Sequence, residues 1–187
     1  MITDDINTIV KALKNGDVIL YPTDTIWGLG CDATNKEAVE RLLSIKKRGN
    51  SKSQVCLVSD DAMLNRTVKD VPEIAWELID ETDKPLTLVL PNAQGLADNV
   101  TADDNSVGLR MIKAGTLHRV VYNFRKPIVS TSANISGESS PTSFESISEE
   151  IKDQVDLIAN LDTSHMTSKA SSIIKVEMNG EITILRK

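Results

Sequence analysis

The chain has 187 residues, of which 40% are apolar and 26% charged, and its formal net charge is −6. This length and composition suit a single globular domain, residues 1–187, with a hydrophobic core built mainly of Ile, Val and Leu. The negative charge argues against a protein that grips nucleic acid over its whole surface, because such a protein needs a basic face.

The first half of the chain predicts alternating helices and strands. Apolar residues recur at helical spacing over residues 6–13, and residues 17–21 are predicted to form a buried strand. The next predicted helix is capped by Asn35 and ends near Gly49. A second strand is predicted at 54–58.

The second half continues the alternation. A helix is predicted from Val71, with Pro72 tolerated in its first turn. The pattern also predicts strands at 86–90, 107–111, 127–131 and 156–162, with helices at 116–124 and 147–154. Near the end, Asn179 and Gly180 separate two β-rich segments and predict a hairpin with a type I′ turn. This order indicates a mixed sheet with helices packed on it, an α/β fold of α+β-like character.

No export or membrane signal is present in the sequence. The N-terminus, MITDDINTIV, lacks the basic and long apolar regions of a signal peptide, and no segment approaches the roughly 20 apolar residues of a membrane span. Cys31 and Cys56 lie far apart without C-x-x-C spacing, which favours buried free thiols over a disulfide or a zinc site. We therefore expect a cytoplasmic protein.

Two segments carry small polar residues where a predicted strand ends. They are YPTDTIWGLG at 21–30 and PIVSTSANISG at 127–137. Hydroxyls and amides at the rim of an open α/β sheet are suited to ligand binding, and small residues allow a ligand to approach the backbone. The same residue types also form ordinary turns, so both interpretations stay open at this point.

A third segment, IKKRGNSK at 45–52, holds the densest basic cluster of an acidic chain. Its cations are Lys46, Lys47, Arg48 and Lys52. Lysine and arginine together suit phosphate oxygens, although cations at a helix C-terminus also simply complement the helix dipole. We expect Lys46 to lie on the surface, so its removal should cost little stability.

Several familiar catalytic motifs are absent from the sequence. There is no G-x-S-x-G elbow, and the histidines are His118 and His165 alone, so a serine hydrolase is disfavoured. There is also no P-loop, no G-x-G-x-x-G and no H-E-x-x-H. A bound nucleotide would therefore need side-chain cations and strand-end hydroxyls, and a divalent ion would arrive with its phosphates.

The order of the segments is more specific than any one of them. In sequence they are YPTDTIWGLG, IKKR, KPLTLVLP (84–91), VGLR (107–110), PIVSTSANISG, ASSII (170–174) and ILR (184–186). This series resembles the YrdC-like family of threonylcarbamoyl-AMP synthases in its short, single-domain form. The resemblance implies a twisted open sheet around a concave, positively charged cavity. It also implies an enzyme that makes threonylcarbamoyl-AMP and pyrophosphate from L-threonine, bicarbonate or CO2, and ATP.

The resemblance further implies roles for individual residues. Lys46, Arg48, Ser132 and Asn134 would be catalytic and would surround the ATP α-phosphate, while Lys52, Ser140 and Arg186 would be further ATP contacts. Thr25, Arg110, Ser130 and Ser171 would bind L-threonine. Mg2+ would accompany ATP without a dedicated protein metal site. Trp27 stands where the family usually has Tyr and would form part of the pocket wall.

Partners follow from the same resemblance. A separate threonylcarbamoyl-transferase complex would use the product to modify tRNA, with direct tRNA contact possible and no membrane partner. One alternative is a module that binds tRNA or double-stranded RNA without its own adenylation activity, although few aromatics are available for stacking. Another is the related carbamoyl-adenylate domain of hydrogenase-maturation proteins, which usually accompanies zinc-finger-like cysteines that this sequence lacks.

Overall fold

The computed structural model describes residues 1–47, 54–164, 166–167 and 169–187. Within them, ten strands form one mixed sheet, and six helices accompany it. The strands are β1 (Ile2–Thr3), β2 (Ile19–Pro22), β3 (Trp27–Asp32), β4 (Val55–Val58), β5 (Leu86–Leu90), β6 (Val107–Met111), β7 (Ile128–Ser132), β8 (Leu157–Ala159), β9 (Ser172–Val176) and β10 (Ile182–Arg186). The helices are α1 (Ile6–Asn15), α2 (Lys36–Ile45), α3 (Asp61–Thr67), α4 (Glu73–Glu81), α5 (Gly115–Phe124) and α6 (Glu149–Gln154).

The strand order is β1-β8-β2-β3-β7-β4-β6-β5-β9-β10. The sheet contains both parallel pairs (β1–β8, β2–β8, β4–β6 and β5–β9) and antiparallel pairs such as β2–β3, β3–β7 and β4–β7. The predicted mixed α/β sheet is therefore confirmed. Strands from the two halves of the chain interleave, so residues distant in sequence meet on the central strands β3, β7, β4 and β6.

Local signals set the ends of the first two helices. The Asp5 carboxylate accepts a hydrogen bond from the Thr8 backbone N–H at 2.9 Å and caps α1, and Gly16 ends it in the left-handed conformation at φ 86°. Asn35 caps α2 as predicted, because its side-chain oxygen accepts from the Ala38 N–H at 3.1 Å. These caps satisfy backbone groups that a helix end otherwise leaves without partners.

The core consists mainly of aliphatic side chains, as the scarcity of aromatics predicts. Ile9 and Leu13 of α1 and Leu42 of α2 are fully buried, and α1 packs against β2, β3 and α5. Cys31 and Cys56 are free and buried, which confirms the prediction for both thiols. Burial raises the pKa of each thiol far above its ordinary value.

Three elements escaped the sequence analysis. They are the short strand β1, the strand β3 and the helix α3. Two glycines interrupt the apolar pattern of β3, so its sequence favours a strand end followed by a turn. Gly30 is required there: a Cβ atom would lie 2.7 Å from Tyr21 Cε1 and 2.8 Å from the Val129 carbonyl oxygen.

Other predicted boundaries were wrong. Helix α2 ends at Ile45 rather than near Gly49: Lys46 is its C-cap residue and keeps a helical conformation, and Lys47 then takes a positive φ of 51°. Pro72 precedes the first turn of α4 as its N-cap residue. No helix in the described ranges is long and apolar enough to cross a membrane.

The C-terminal hairpin is confirmed, but its turn type is not. A type I′ turn needs positive φ at both Asn179 and Gly180, and of the two Gly180 alone has it, at φ 83°. The Gly180 N–H donates to the Glu177 carbonyl at 2.9 Å, and the Glu177 N–H donates to the Glu181 carbonyl at 2.9 Å. This is the pattern of a three-residue loop in which a turn is followed by a left-handed glycine.

Candidate functional site

A cavity of about 580 Å³ lies against the central strands of the sheet. Residues of the β2–β3 turn and of β3, β4, β5, β6, β7, β9 and β10 line it. Seven of the residues with predicted roles line this one cavity: Thr25, Arg110, Ser130, Ser132, Ser140, Ser171 and Arg186. The structure therefore brings together residues from both halves of the chain.

The strand register explains why this wall of the cavity is thin and polar. Ser130 and Ser132 of β7 are paired with Gly30 and Gly28 of β3, so no side chain on β3 stands beside the two serines. On the other side, Ser130 is paired with Val55 of β4. Paired residues on neighbouring strands direct their side chains to the same face. The polar strand end identified in the sequence thus forms an open surface.

Arg110 of β6 is held from one side by a hydroxyl network. It is only 6% exposed, and its Nη1 donates to Thr25 Oγ1 at 3.0 Å. The Thr23 hydroxyl donates to the Ile26 carbonyl at 2.8 Å, so in its 2.8 Å contact with Thr25 it must accept the Thr25 proton. The Thr25 hydroxyl therefore donates to Thr23 and accepts from Arg110, and this arrangement positions Arg110.

A second arginine reaches the same cavity from β10. Arg186 Nε donates to the Ser171 carbonyl at 2.9 Å, and the Ser171 hydroxyl is 2.7 Å from that of Thr87. Burial lowers the pKa of Arg186 below its ordinary value, and the charge of Arg110 lowers it further. Two guanidinium groups therefore reach one cavity and offer donors to an anionic ligand; one of them, Arg110, is also paired with the Asp24 carboxylate.

The hydroxyl of Ser130 is oriented by a buried tyrosine. The Tyr21 hydroxyl donates to Ser130 Oγ at 2.7 Å, and Tyr21 is fully buried. Burial raises the pKa of Tyr21 far above its ordinary value, so it remains a donor. Ser130 consequently keeps its own proton for a further acceptor.

The predicted basic cluster is only partly visible. Arg48 and Lys52 lie outside the described residues. Lys46 is 2% exposed, which contradicts the expectation of a surface lysine. Its ammonium donates to the carbonyl oxygens of Ser132 at 2.6 Å and Asn134 at 2.8 Å. The charge lies beside the STSAN segment because that segment turns its carbonyls toward the end of α2.

The loop after β7 is joined to Lys46 by its backbone as well. The Ser136 N–H donates to the Lys46 carbonyl at 3.0 Å, and the Asn134 side-chain amide donates to the Glu138 carbonyl at 2.9 Å. Asn134 Oδ1 is buried without a hydrogen-bond partner in the described part of the structure. Lys46 and Asn134 do not line the cavity itself; they hold the end of β7, at Ser132, and the loop that follows it.

Trp27 lines the cavity, as the resemblance implies for that position. Its ring packs on Phe144 with centroids 5.2 Å apart, and Lys152 Nζ lies 4.7 Å from the Phe144 centroid. The aromatic pair therefore joins the cavity wall to the segment before α6.

Sequence reasoning missed several residues that organise the site. Thr23, Asp24, Tyr21 and Thr87 were not assigned roles, although each contacts a predicted residue. The PTDT segment held a signal for Thr23 and Asp24, whereas Tyr21 and Thr87 are known only once the strands are paired.

A second cavity, of about 310 Å³, is lined by Leu86, Leu88, Leu109 and Met111. These residues alternate along β5 and β6 with those of the first cavity, such as Thr87 and Arg110, and so belong to the opposite face. None of the predicted site residues that the structure describes lines it. Across the described residues, no group of three or more His, Cys, Asp or Glu side chains could hold a metal ion.

The fold and the cavity define an α/β protein with an open mixed sheet, whose central strands carry a polar site suited to an anionic ligand. The chain belongs to the Sua5/YciO/YrdC family: the model of this family, described as "Telomere recombination", matches residues 11–187.

Curated relatives support a narrower assignment. The chain is 32% identical over 176 residues to the threonylcarbamoyl-AMP synthase of Pseudoalteromonas translucida, covering 92% of this chain and 93% of that one. It is 31% identical over 158 residues to the enzyme of the same name from Vibrio vulnificus, covering 82% and 84%.

Solved structures agree with the fold. A variant of P. abyssi Sua5 superposes with a TM-score of 0.87 at 27% identity, over 97% of this chain and 55% of that one. P. abyssi Sua5 complexed with L-threonine gives 0.83 at 28% identity, over 91% and 50%. The chain thus spans about half the length of these Sua5 chains. Full-length HypF in a phosphate- and nucleotide-bound form gives 0.82 at 25% identity, over 97% and 28%.

Proposed function

We propose that this protein is a threonylcarbamoyl-AMP synthase that joins L-threonine, bicarbonate or CO2, and ATP. The observation that carries the proposal is the single cavity in which Arg110 and Arg186 face the hydroxyls of Ser130, Ser132 and Ser171. Its curated relatives are named for this activity, and the chain aligns with most of their length. The product would pass to a separate transferase complex that modifies tRNA.

The threonine end of the cavity would be built on Arg110. A guanidinium can hold a carboxylate through two parallel N–H donors, and Thr25 fixes its orientation from behind. Ser130 has a proton available for a substrate acceptor, since Tyr21 already supplies its own hydrogen bond. The L-threonine complex of P. abyssi Sua5 supports a threonine site in this fold.

The nucleotide end would lie toward Ser132, Ser140 and Arg186. The carbamate formed from threonine's amine and CO2 would attack the α-phosphorus through an oxygen, and the bond to the β-phosphate oxygen would break as pyrophosphate takes its electron pair. Such in-line transfer needs positioning and charge stabilisation more than a protein nucleophile. Arg186 would supply charge, while Lys46 and Asn134 would keep the Ser132 loop in place.

Mg2+ would enter as the partner of ATP. The described residues of the cavity offer hydroxyls and arginines rather than a group of carboxylates, so the ion would be held mainly by phosphate oxygens and water. It would neutralise charge on the phosphates, while this chain's own residues orient the two reactants.

The test is mass detection of threonylcarbamoyladenylate after the protein is mixed with Mg2+-ATP, L-threonine and bicarbonate, with pyrophosphate release measured in parallel. Ser132→Ala should reduce both signals strongly. The matched control is Ser139→Ala, an exposed serine of the same loop that does not line the cavity, and it should behave as wild type. Absence of the adduct with the wild-type protein would refute the proposed function.

The same assay separates the alternatives. A carbamoyl-adenylate domain of the HypF kind would form its adenylate without threonine. An RNA-binding module would give no adduct but would bind tRNA with a steep dependence on salt concentration. The curated relatives favour the enzyme over the RNA-binding module.

A further inference from the structure

The Asp24 carboxylate accepts a hydrogen bond from the Arg110 guanidinium, the group proposed to bind the carboxylate of L-threonine. Arg110 Nη2 donates to Asp24 Oδ1, while Nη1 donates to Thr25. The Arg110 side chain is 7% exposed and the Asp24 side chain 42% exposed. The charged pair therefore has one buried member, Arg110, and one half-exposed member, Asp24, which lines the second cavity rather than the first.

The buried member is fixed in place. Thr25 receives Nη1 and is itself held by Thr23, whose hydroxyl closes the turn between β2 and β3. Arg110 Nε is buried and has no hydrogen-bond partner in the described ranges. The guanidinium thus keeps donor capacity on the edge formed by Nε and Nη2.

The Asp24 side chain can move away from Arg110 without a change in the backbone. The Asp24 carbonyl accepts from the Thr167 N–H at 3.0 Å, which anchors the main chain of the turn. Its half-exposed side chain can reach water by rotation about its own bonds. A ligand carboxylate at the Nε–Nη2 edge of Arg110 would therefore compete with the Asp24 carboxylate, which can be displaced.

We propose that Asp24 is a specificity-determining residue whose carboxylate competes with the carboxylate of L-threonine for Arg110. This inference rests on the proposed function. Threonine binding exchanges one carboxylate for another, so the charge beside Arg110 changes little. Inorganic phosphate and the phosphates of ATP must also displace Asp24, but they lack the amino and hydroxyl groups that a threonine site can reward. Asp24 therefore weakens the binding of every anion at Arg110, and threonine offsets that loss through its amino and hydroxyl contacts, which phosphate does not have.

The experiment measures L-threonine binding by calorimetry without ATP, in the presence and absence of inorganic phosphate. Asp24→Asn and Asp24→Ala should each bind threonine about twofold to fivefold more tightly than wild type, the range expected for losing a partly exposed charge pair. Added phosphate should weaken threonine binding to both variants more than to wild type. In turnover, the KM for threonine should fall while kcat stays close to its wild-type value.

Two controls separate competition from other effects. Asp24→Glu keeps the charge and should remain near wild type in phosphate sensitivity. Asp153→Asn removes one negative charge from an exposed position of α6 and should change neither quantity, which excludes a general effect of net charge.

The outcomes distinguish this inference from the proposed function. If Arg110→Gln abolishes threonine binding but Asp24→Asn and Asp24→Ala leave it unchanged or weaken it, Asp24 positions Arg110 and the competition is refuted. If wild type binds no threonine and forms no adenylate, the proposed function itself fails.

Discussion

Lys46 is almost fully buried, and its ammonium lies between the carbonyl oxygens of Ser132 and Asn134. A buried charge is tolerated when hydrogen bonds replace its hydration. Here the acceptors belong to the loop that carries the serine proposed to contact ATP. The lysine therefore acts on the site through the loop, whatever further contact it makes with a ligand.

Lys46→Met should lower the free energy of unfolding by about 1–3 kcal/mol, because it removes two hydrogen bonds that a charged donor makes to the part-buried carbonyls of Ser132 and Asn134. Adenylate formation should fall at the same time, since the Ser132 loop loses its anchor. Urea denaturation followed by tryptophan fluorescence measures the first effect, and pyrophosphate release the second.

The neighbouring lysine is the control for that prediction. Lys47 is 60% exposed and forms an ion pair of 2.7 Å with Glu150, a surface pair of the kind that contributes little. Lys47→Ala should change stability by less than about 0.5 kcal/mol. Equal losses for the two variants would show that Lys46 has no special structural role.

At the scale of elements, β3 demonstrates how tertiary packing overrides local pattern. Its sequence, WGLGCD, carries two glycines and so appears in the sequence as part of a turn. In the sheet it lies between β2 and β7, and Gly30 is pressed against Tyr21 and the β7 backbone. The absent side chain is what lets β7 present its serines to the cavity.

Gly30→Ala should therefore destabilise the protein by several kcal/mol or prevent folding, as overpacking does in a close-packed core. Gly28→Ala is the matched comparison, because its Cβ would lie 3.3 Å from the Thr131 carbonyl oxygen and 3.5 Å from Ser130 Oγ. It should fold with a smaller loss of stability but bind threonine and ATP more weakly. Thermal unfolding and calorimetric binding distinguish the two variants, and equal stability would contradict the packing argument.

Much of the architecture could be predicted from the sequence, because helix caps and apolar periodicity are local. Asn35 and the C-terminal hairpin are examples. The end of α2 was not predicted, because Lys47 takes a positive φ that no glycine or asparagine at that position signals in the sequence. Motif order predicted seven cavity residues, whereas Tyr21 and Thr87 became visible only through strand pairing.

At the scale of the whole molecule, the Asp156 carboxylate links the N-terminal part of the chain to the C-terminal third. Asp156, just before β8, accepts from the Val18 N–H at 2.9 Å and from both Nη atoms of Arg41, one of them at 2.9 Å. It thus links α2 and the segment before β2 to the C-terminal third. The single-domain assignment for 1–187 remains a prediction, and this contact is one way in which the two halves support each other.

The pKa of Asp156 provides a test of that link. Burial alone would raise it, but the hydrogen bonds from Arg41 and Val18 bring it below its ordinary value of 3.8. A depressed carboxyl pKa contributes stability that is present above the unfolded value and is lost as the pH falls through the folded value. The stability difference between wild type and Asp156→Asn should therefore be constant from neutral pH to about 5 and shrink below about 4.

Asp17 supplies a control of opposite sign. Burial raises the pKa of Asp17 above 3.8, and the charge of Asp156 raises it further, so the ionised Asp17 opposes folding. Asp17→Asn should gain stability relative to wild type as the pH rises from about 4 toward 6. The free energy of unfolding of both variants can be measured by urea denaturation between about pH 3.5 and 7. A change in net charge alone would act on both variants alike. Parallel pH profiles of the stability difference from wild type would therefore refute the proposed link.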